Sequence, residues 1–513
     1  MKESNLLFTI HCFKPKIMKP SQLLLIILMH FFFAVCHAKN EITITGKISG
    51  KIPETIDYTL PINGIDFIGF KNSVEPDSSG NFQIKLNTEK ACFVELFTHF
   101  NSYGVIIAEP GMKYEIFIDT ESKDNKFRVV SKNEKGQALY NQIPNRSMLI
   151  GGHFELETKK YSKDSIVSEI QQKTEKTKEL EIDGFKKLLK EKSISKDFYN
   201  LIETDRTYFH KGIMGSIGFM NFLNVPRNKN TLTPAQYSEL WAAIFQSNPV
   251  ANPELLRSPW FFYYAENYLR YQEFIIEKTE VAALTEYHKK EQIHTHNIDN
   301  AKKYLSGKQL EYYFAAYIYY IAINKNYEKE LVTLFEQFKK EYPSSLYTSF
   351  LEPEIIQILA FHKKKEDPVN DKIKFISSVA NINSVKDVVK ELDGKQYYVD
   401  IWATWCGPCK EEFKDNAKLY ELLKSRNITM VYISIDKENR ENQWKDMTHF
   451  YNLEGYHIRA NEKLDADLRT LYGNQSMGIP WHFLTDGNGV IIKKSLKGPS
   501  EIEKLEKQLN EVN

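Results

Sequence analysis

The sequence is short of cysteine and of net charge. Its 513 residues carry five cysteines, and 68 Lys and Arg against 67 Asp and Glu leave a formal charge of +1. A chain so evenly balanced has no electrostatic pull towards nucleic acid or an anionic membrane surface. It also lacks a Gly-rich phosphate loop, a basic stripe and a fixed-period repeat. Five cysteines are too few to staple a chain of this length with disulfides. Two of them nevertheless have a defined spacing, Cys406 and Cys409 in Trp405-Cys406-Gly407-Pro408-Cys409. No second Cys-X-X-Cys or Cys-X-X-His follows, so the four ligands of a zinc knuckle are not supplied, and no metal or other cofactor is expected. What is present, 42% hydrophobic and 26% charged residues, is ordinary globular composition at a length that suits about three domains.

Residues 1–38 read as an export signal. Met18-Lys19 gives a basic start to the apolar runs Leu23–Met29 and Phe31–Val35, and small residues at Cys36 and Ala38 offer a cleavage point before Lys39. The apolar stretch is short for a membrane span. The expected location is therefore the periplasm or cell envelope, with a retained or lipidated N-terminal anchor as the other outcome. Export removes Cys12 and Cys36 and leaves Cys92 beside the spaced pair. Cys92 sits in the strand-like run Ala91–Leu96, where a small buried hydrophobe is expected.

Residues 39–132 alternate polar and apolar positions, as in Glu41–Gly46 and Phe82–Leu86, and turn signals at Asp77–Asn81 and Pro110-Gly111 punctuate them. That pattern predicts a small all-β sandwich. From 136 to 365 the period becomes helical, with aromatic clusters at Pro259–Tyr264 and Tyr312–Tyr320 expected in the core. The Lys/Glu-rich run Lys173–Lys192 is expected to be a solvated helix face. His294 and His296 lack a further ligand set and are expected on a loop rather than at a metal. Lys363–Pro368 reads as a linker, and 371–513 alternates strands with helices in an α/β domain. Strands are predicted at Lys372–Ile376, Tyr397–Trp402, Thr429–Ile435, His482–Leu484 and Val490–Lys493. Helices are predicted at Ser384–Leu392, Cys409–Lys424, Glu441–Tyr451, Leu464–Leu471 and Ser500–Glu511, the last opened by a Ser500/Glu503 capping box.

The cysteine pair follows the apolar run Tyr397–Trp402 and precedes an amphipathic helical pattern, so it falls where a strand gives way to a helix. A thiolate there faces unpaired backbone N–H groups and the positive end of the helix dipole, which lowers its pKa from about 8.5 towards about 7. Cys406 becomes a nucleophile for disulfides, and Cys409, three residues on, lies close enough to close an intramolecular disulfide. Gly407 allows the tight entry, and Pro408 lacks an N–H that the first turn leaves unpaired anyway.

Asp400-Ile401-Trp402-Ala403-Thr404-Trp405-Cys406-Gly407-Pro408-Cys409-Lys410, with Gly478-Ile479-Pro480 further on, resembles the thioredoxin superfamily and within it the exported TlpA/ResA-like thiol–disulfide oxidoreductases. The resemblance covers about the last quarter of the chain. It implies a thioredoxin-like fold, a redox-active Cys406–Cys409 disulfide, and a cis Pro480 beside it that helps hold an extended partner chain. Trp405, Gly407, Pro408 and Ile479 then border that partner surface. Asp400 matches the buried acid behind the cysteines; on a buried strand its pKa should rise, fitting it to take the proton of Cys409. Two departures stand out: Trp481 replaces the family's frequent threonine after the proline, which points to altered partner choice. Lys414 replaces a helix-kinking proline, implying a straighter helix. The segment around Glu441–Tyr472 resembles an insertion of TlpA/ResA-like members.

Gly-Pro between the cysteines resembles reducing thioredoxins, so the expected activity is reduction of disulfide-containing envelope proteins, with a membrane thiol donor supplying electrons in an oxidising compartment. A peroxiredoxin would need Pro and Thr where Val399 and Ala403 stand. The alternative is an envelope binding protein, in which the upstream domains capture a ligand or partner and the redox domain is auxiliary.

Overall fold

A computed structural model of the chain describes residues 40–62, 70–98, 101–122, 126–144, 146, 157–161, 163–224, 231–246, 250–376, 381–392, 395–473 and 477–512. The expected export signal, with Cys12 and Cys36, lies outside the described residues. The chain forms two compact units that meet in sequence between Thr279 and Glu280. This division falls inside the 136–365 segment read from the sequence as one helical domain.

The first unit opens with eight strands: β1 Glu41–Ser49, β2 Ile56–Thr59, β3 Lys71–Val74, β4 Asn81–Asn87, β5 Cys92–Thr98, β6 Asn101–Ala108, β7 Lys113–Asp119 and β8 Phe127–Val130. They form two four-stranded sheets of order β4-β1-β7-β8 and β3-β2-β5-β6. Alternation puts Ile42, Ile44, Ile84, Ile116 and Ile118 of one sheet against Val94, Leu96 and Ile106 of the other, with Cys92 buried among them. The opposite side of β5 and β6, carrying Phe93, Val105 and Ile107, is covered by α1 Glu134–Asn141, α2 Val167–Lys190 and α3 Lys196–Asn224 through Tyr140, Phe185, Phe198 and Leu201. Burial on both faces is why β5 reads as an unbroken apolar run. The free edge of β6 is closed by side chains of α1: Gln137 brackets the N–H and C=O of Ile107 at 3.0 and 2.8 Å, and Asn141, one turn on, does the same for Val105 at 2.9 and 2.8 Å. Helices α4 Pro234–Phe245 and α5 Phe261–Tyr271 complete this unit; Trp260, Phe261, Phe262 and Tyr264 are buried, as the aromatic pattern predicts, and Trp241 of α4 is buried as well.

The second unit begins with α6 Val281–Lys289, α7 Ile293–Tyr304, α8 Gly307–Ala322, α9 Glu330–Glu341 and α10 Thr348–Lys364. His294 and His296 sit in the first turn of α7 rather than on a loop. His294 Nδ1 meets the Tyr317 hydroxyl at 2.9 Å, and His296 stacks on Tyr287. No metal-ligating cluster occurs among the described residues. The expected linker at 363–368 is tied down: Lys365 pairs with Asp446 at 2.6 Å, and the Lys364 carbonyl is held by His449.

An α/β domain follows, with β9 Ile373–Phe375, α11 Val385–Lys390, β10 Gln396–Trp402, α12 Gly407–Glu412, α13 Asn416–Ser425, β11 Thr429–Ser434, α14 Glu441–Phe450, β12 Gly455–Arg459, α15 Glu462–Tyr472, β13 Trp481–Asp486, β14 Ile491–Leu496 and α16 Ile502–Asn510. Its six strands run in the order β14-β13-β10-β11-β12-β9, with β10 parallel to β11 and antiparallel to β13. Tyr397, Val399 and Ile401 of β10 point to the face packed by α11 and α15, together with Trp481 and Phe483 of β13. Tyr398, Asp400 and Trp402 therefore point to the other face, as does His482. That alternation builds the site.

Two helix expectations are overturned. The cysteine helix is not straighter for lacking a proline at Lys414: residues 413–415 wind as a 3₁₀ turn between α12 and α13. Residues three apart eclipse in such a turn, so Phe413 and Asn416 both point inward. Phe413 meets Trp402 edge-on, and the Asn416 amide donates to the Tyr432 hydroxyl at 2.9 Å. Likewise, Ser500 does not cap the last helix. It lies in a 3₁₀ turn before α16, and its hydroxyl is directed to Glu412 Oε1 at 3.3 Å.

Candidate functional site

The cysteine pair stands where β10 ends and α12 begins. Cys406 is the N-cap of α12, its Sγ accepting the Cys409 N–H at 3.1 Å, and the two sulfurs are joined in a disulfide across a Cα–Cα distance of 5.4 Å. A sulfur in the N-cap position takes a donor that the helix leaves free, which is the geometry that stabilises a thiolate once the bond is reduced. Both cysteines are almost fully buried, whereas Trp405 beside them is 52% exposed and Pro408 is exposed. The Ile479–Pro480 peptide is cis. In the antiparallel register Trp481 lies opposite Ile401, so Pro480 falls at the end of the sheet from which the cysteine loop departs. Trp481 itself does not face a partner. It is buried on the opposite side of the sheet, with its indole N–H donated to the Lys494 carbonyl at 2.8 Å and Tyr472 packed edge-on against it.

Asp400 lies where the sequence puts it, in the middle of β10 and buried. Its surroundings are not purely apolar. His482, its register partner on β13, brings Nε2 to 3.4 Å from Asp400 Oδ1, and the same nitrogen is 3.3 Å from Glu412 Oε2. Glu412 is three residues beyond Cys409, on the same face of α12. Burial alone would push the imidazolium pKa down; the Asp400 and Glu412 carboxylates outweigh it and bring it up to about 9. The Tyr398 ring stacks on the imidazole, and burial followed by these two carboxylates holds its phenol well above the usual range. His482 and Glu412 escape sequence reasoning because neither stands in the cysteine motif. The signals available were Glu412 at one helical turn from Cys409, and His482 at the inward-facing strand position two residues after Pro480.

A second set of contacts fixes the loop between β10 and α12. Asp436, buried just past β11, accepts the Thr404 N–H at 2.8 Å and the Thr404 hydroxyl at 2.7 Å. Lys410, next to Cys409 and fully buried, donates to the Thr404 carbonyl at 2.7 Å and to the carbonyls of Asn324 and Lys325 at 2.5 and 3.2 Å. Burial, then repulsion from Lys325 and Arg440, lowers its pKa to about 8. The turn it grips follows α8 and holds Lys325 and Tyr327 at φ of 53° and 57°. Such left-handed backbone is unfavourable for side-chain-bearing residues and persists where surroundings enforce it. Here the Tyr327 ring is stacked on Phe361 and its hydroxyl meets that of Tyr451 at 2.5 Å. One lysine thus binds the cysteine loop to the helical segment before it.

Residues 368–509 match the Redoxin family. The chain is similar to the thiol–disulfide oxidoreductase ResA of Bacillus subtilis, at 27% identity over 111 residues that make up 22% of this chain and 58% of that protein. It is also similar to ResA of Bacillus cereus, at 27% identity over 135 residues, 26% of this chain and 73% of that one. The solved thioredoxin domain of a thiol–disulfide oxidoreductase from Bacteroides vulgatus is 25% identical over 24% of this chain and 84% of its own, with a TM-score of 0.20. The chain thus spans just over half the length of the first of these relatives.

Two consequences are measurable. A histidine whose pKa rises from about 6.5 to about 9 on folding stabilises the fold fully below pH 6.5, by about 3 kcal/mol, and loses that contribution as pH rises through 9. The stability difference between the natural chain and His482→Gln in chemical denaturation is therefore expected to shrink between pH 7 and pH 9.5; a difference independent of pH would contradict the charge assignment. Lys410→Met leaves three carbonyls without their charged donor and is expected to cost about 2 kcal/mol. An unchanged denaturation midpoint would show that the turn is not held by this lysine.

Proposed function

We propose that this chain, whose C-terminal domain is a TlpA/ResA-like member of the thioredoxin superfamily, is a thiol–disulfide oxidoreductase of the cell envelope that reduces protein disulfides through Cys406 and Cys409. The observation that carries the reading is the disulfide at the N-terminus of α12, with Cys406 as N-cap and an exposed tryptophan beside it. In the reduced enzyme the Cys406 thiolate attacks one sulfur of a partner disulfide, the partner's S–S bond breaks, and a mixed disulfide forms. Cys409 then gives up its proton to Asp400, and its thiolate attacks Cys406 Sγ. The partner sulfur leaves with the electron pair, and the Cys406–Cys409 bond closes. Two electrons have passed from the dithiol to the partner.

Trp405, Gly407, Pro408, Ile479 and the cis Pro480 border the surface on which an extended partner segment lies. No metal or cofactor is needed for any step. Export rests on the signal-like residues 18–38, and in an oxidising compartment a membrane thiol donor would re-reduce the pair.

Cys406→Ser is expected to abolish reduction of a model protein disulfide, by at least about a thousandfold, because no thiolate remains to attack. Cys409→Ser is expected to accumulate the mixed disulfide, detectable as a covalent adduct by mass spectrometry under non-reducing conditions. Tight partner binding that survives both substitutions, with no turnover by the natural chain, would favour the binding-protein alternative.

A further inference from the structure

On the face of the sheet that α12 approaches, three ionisable groups from three elements meet: Asp400 on β10, His482 on β13 and Glu412 on α12. Asp400 Oδ1, His482 Nε2 and Glu412 Oε2 are all buried, and none has a hydrogen bond of normal geometry. The imidazole nitrogen stands almost midway between the carboxylates, at 3.4 and 3.3 Å. The other group on β10 that faces it is the Tyr398 ring, and its register neighbour on β14 is the apolar Leu496. The second oxygen of Glu412 is engaged by Ser500 at 3.3 Å. An imidazole nitrogen is thus held between two carboxyl groups, out of water, one helical turn from Cys409.

Two carboxylates facing one buried pocket cannot both stay ionised unless a positive charge lies between them; otherwise one retains a proton. The retained proton falls on the more deeply buried Asp400, whose side chain is 5% exposed against 21% for Glu412, and a protonated Asp400 cannot accept another from Cys409. We infer that His482 is a positioning residue which, as an imidazolium, keeps Asp400 and Glu412 both ionised, so that a carboxylate is free to take the Cys409 proton when the mixed disulfide is resolved. The inference rests on the oxidoreductase reading and adds the source of the pocket's proton-accepting capacity. In the resting pocket the single proton sits on the imidazole. As Cys409 S–H loses its proton to a carboxylate oxygen, the thiolate pair forms the bond to Cys406 Sγ, and the partner sulfur departs as a thiolate. The pocket gains one proton and returns it to solvent or to the departing thiolate before the next cycle. The raised imidazole pKa agrees with this arrangement, since both carboxylates favour the charged ring.

The test is the rate of mixed-disulfide resolution as a function of pH, in the full chain and in His482→Gln. The mixed disulfide is formed at Cys406 with a chromogenic aromatic disulfide, and release of the second thiolate is followed by stopped flow. Gln keeps an N–H of similar reach and removes the charge. The natural chain should resolve at a rate little changed between pH 6 and pH 8. The variant should be about tenfold slower at pH 7, recovering as pH rises, with its acid limb displaced upward by about one unit or more. His482→Lys, which restores a cation, should recover part of the rate at pH 7. Superimposable pH profiles for the natural chain and His482→Gln would overturn the inference. So would a uniform slowing with no displacement, the result of a merely structural role. Should the variants fail to fold, the ring of His482 followed by NMR in the histidine-labelled natural chain decides: charged through pH 8 supports the inference, neutral at pH 7 refutes it. A natural chain that forms no adduct through Cys406 would instead refute the oxidoreductase reading, a failure distinct from the others.

Discussion

The C-terminal domain is arranged around an acidic side chain buried away from water. Asp400 lies buried in a central strand, six residues before Cys406, and a lone carboxylate there would be costly to ionise. The structure meets this with an imidazole from the neighbouring strand, whose Nε2 also approaches the carboxyl group of Glu412 on the cysteine helix. The arrangement imposes conditions on each contributor. β13 must run antiparallel to β10 in the register that sets His482 opposite Asp400. α12 must place Glu412 inward, and the 3₁₀ turn after it lets Phe413 and Asn416 also reach the interior. Even Ser500, from the start of the last helical segment, is drawn to the carboxylate of Glu412 rather than to a helix cap.

The reactive end is held by a different device. Asp436 fastens the backbone and side chain of Thr404, and Lys410 fastens the Thr404 carbonyl to the turn after α8. Cys406 is therefore bracketed between a loop pinned on one side and a helix anchored on the other. Trp405 and Pro408 are the residues of this bracket that stay open to solvent. Rigid placement suits a thiol whose reactivity depends on the backbone donors around it. It also ties the turn after α8 to the loop that carries the cysteines. A lysine buried under backbone carbonyls is an unusual use of a residue that would otherwise lie in solvent.

Much of this was legible in the sequence because its signals are local. The apolar run Tyr397–Trp402 followed by Cys-Gly-Pro-Cys marks a strand-to-helix junction, and the alternation of Glu41–Gly46 and Phe82–Leu86 marks sandwich strands; both are present. The rest depends on tertiary context. Trp481 reads as a change at the partner surface, yet strand alternation turns it to the opposite face and presents His482 towards the cysteines. Lys414 reads as the loss of a kink, yet the demand to bury Phe413 and Asn416 interrupts the helix without a proline. Ser500 and Glu503 have the spacing of a capping box, but a distant carboxylate competes for the serine hydroxyl. The short β12 lacks strong β-branched alternation and takes its place by pairing with β11 and β9. Lys410 belongs to the quoted motif, but only the approach of residues 324–325 shows what it holds.

The measurement that bears most directly on the account is the equilibrium reduction potential of the Cys406–Cys409 couple in the chain lacking residues 1–38, obtained against a defined dithiol buffer. A thiol pair in a thioredoxin-like domain that reduces partner disulfides should lie near about −270 mV. A potential close to about −120 mV, that of a strong disulfide donor, would contradict it and make the chain an oxidant of its partners.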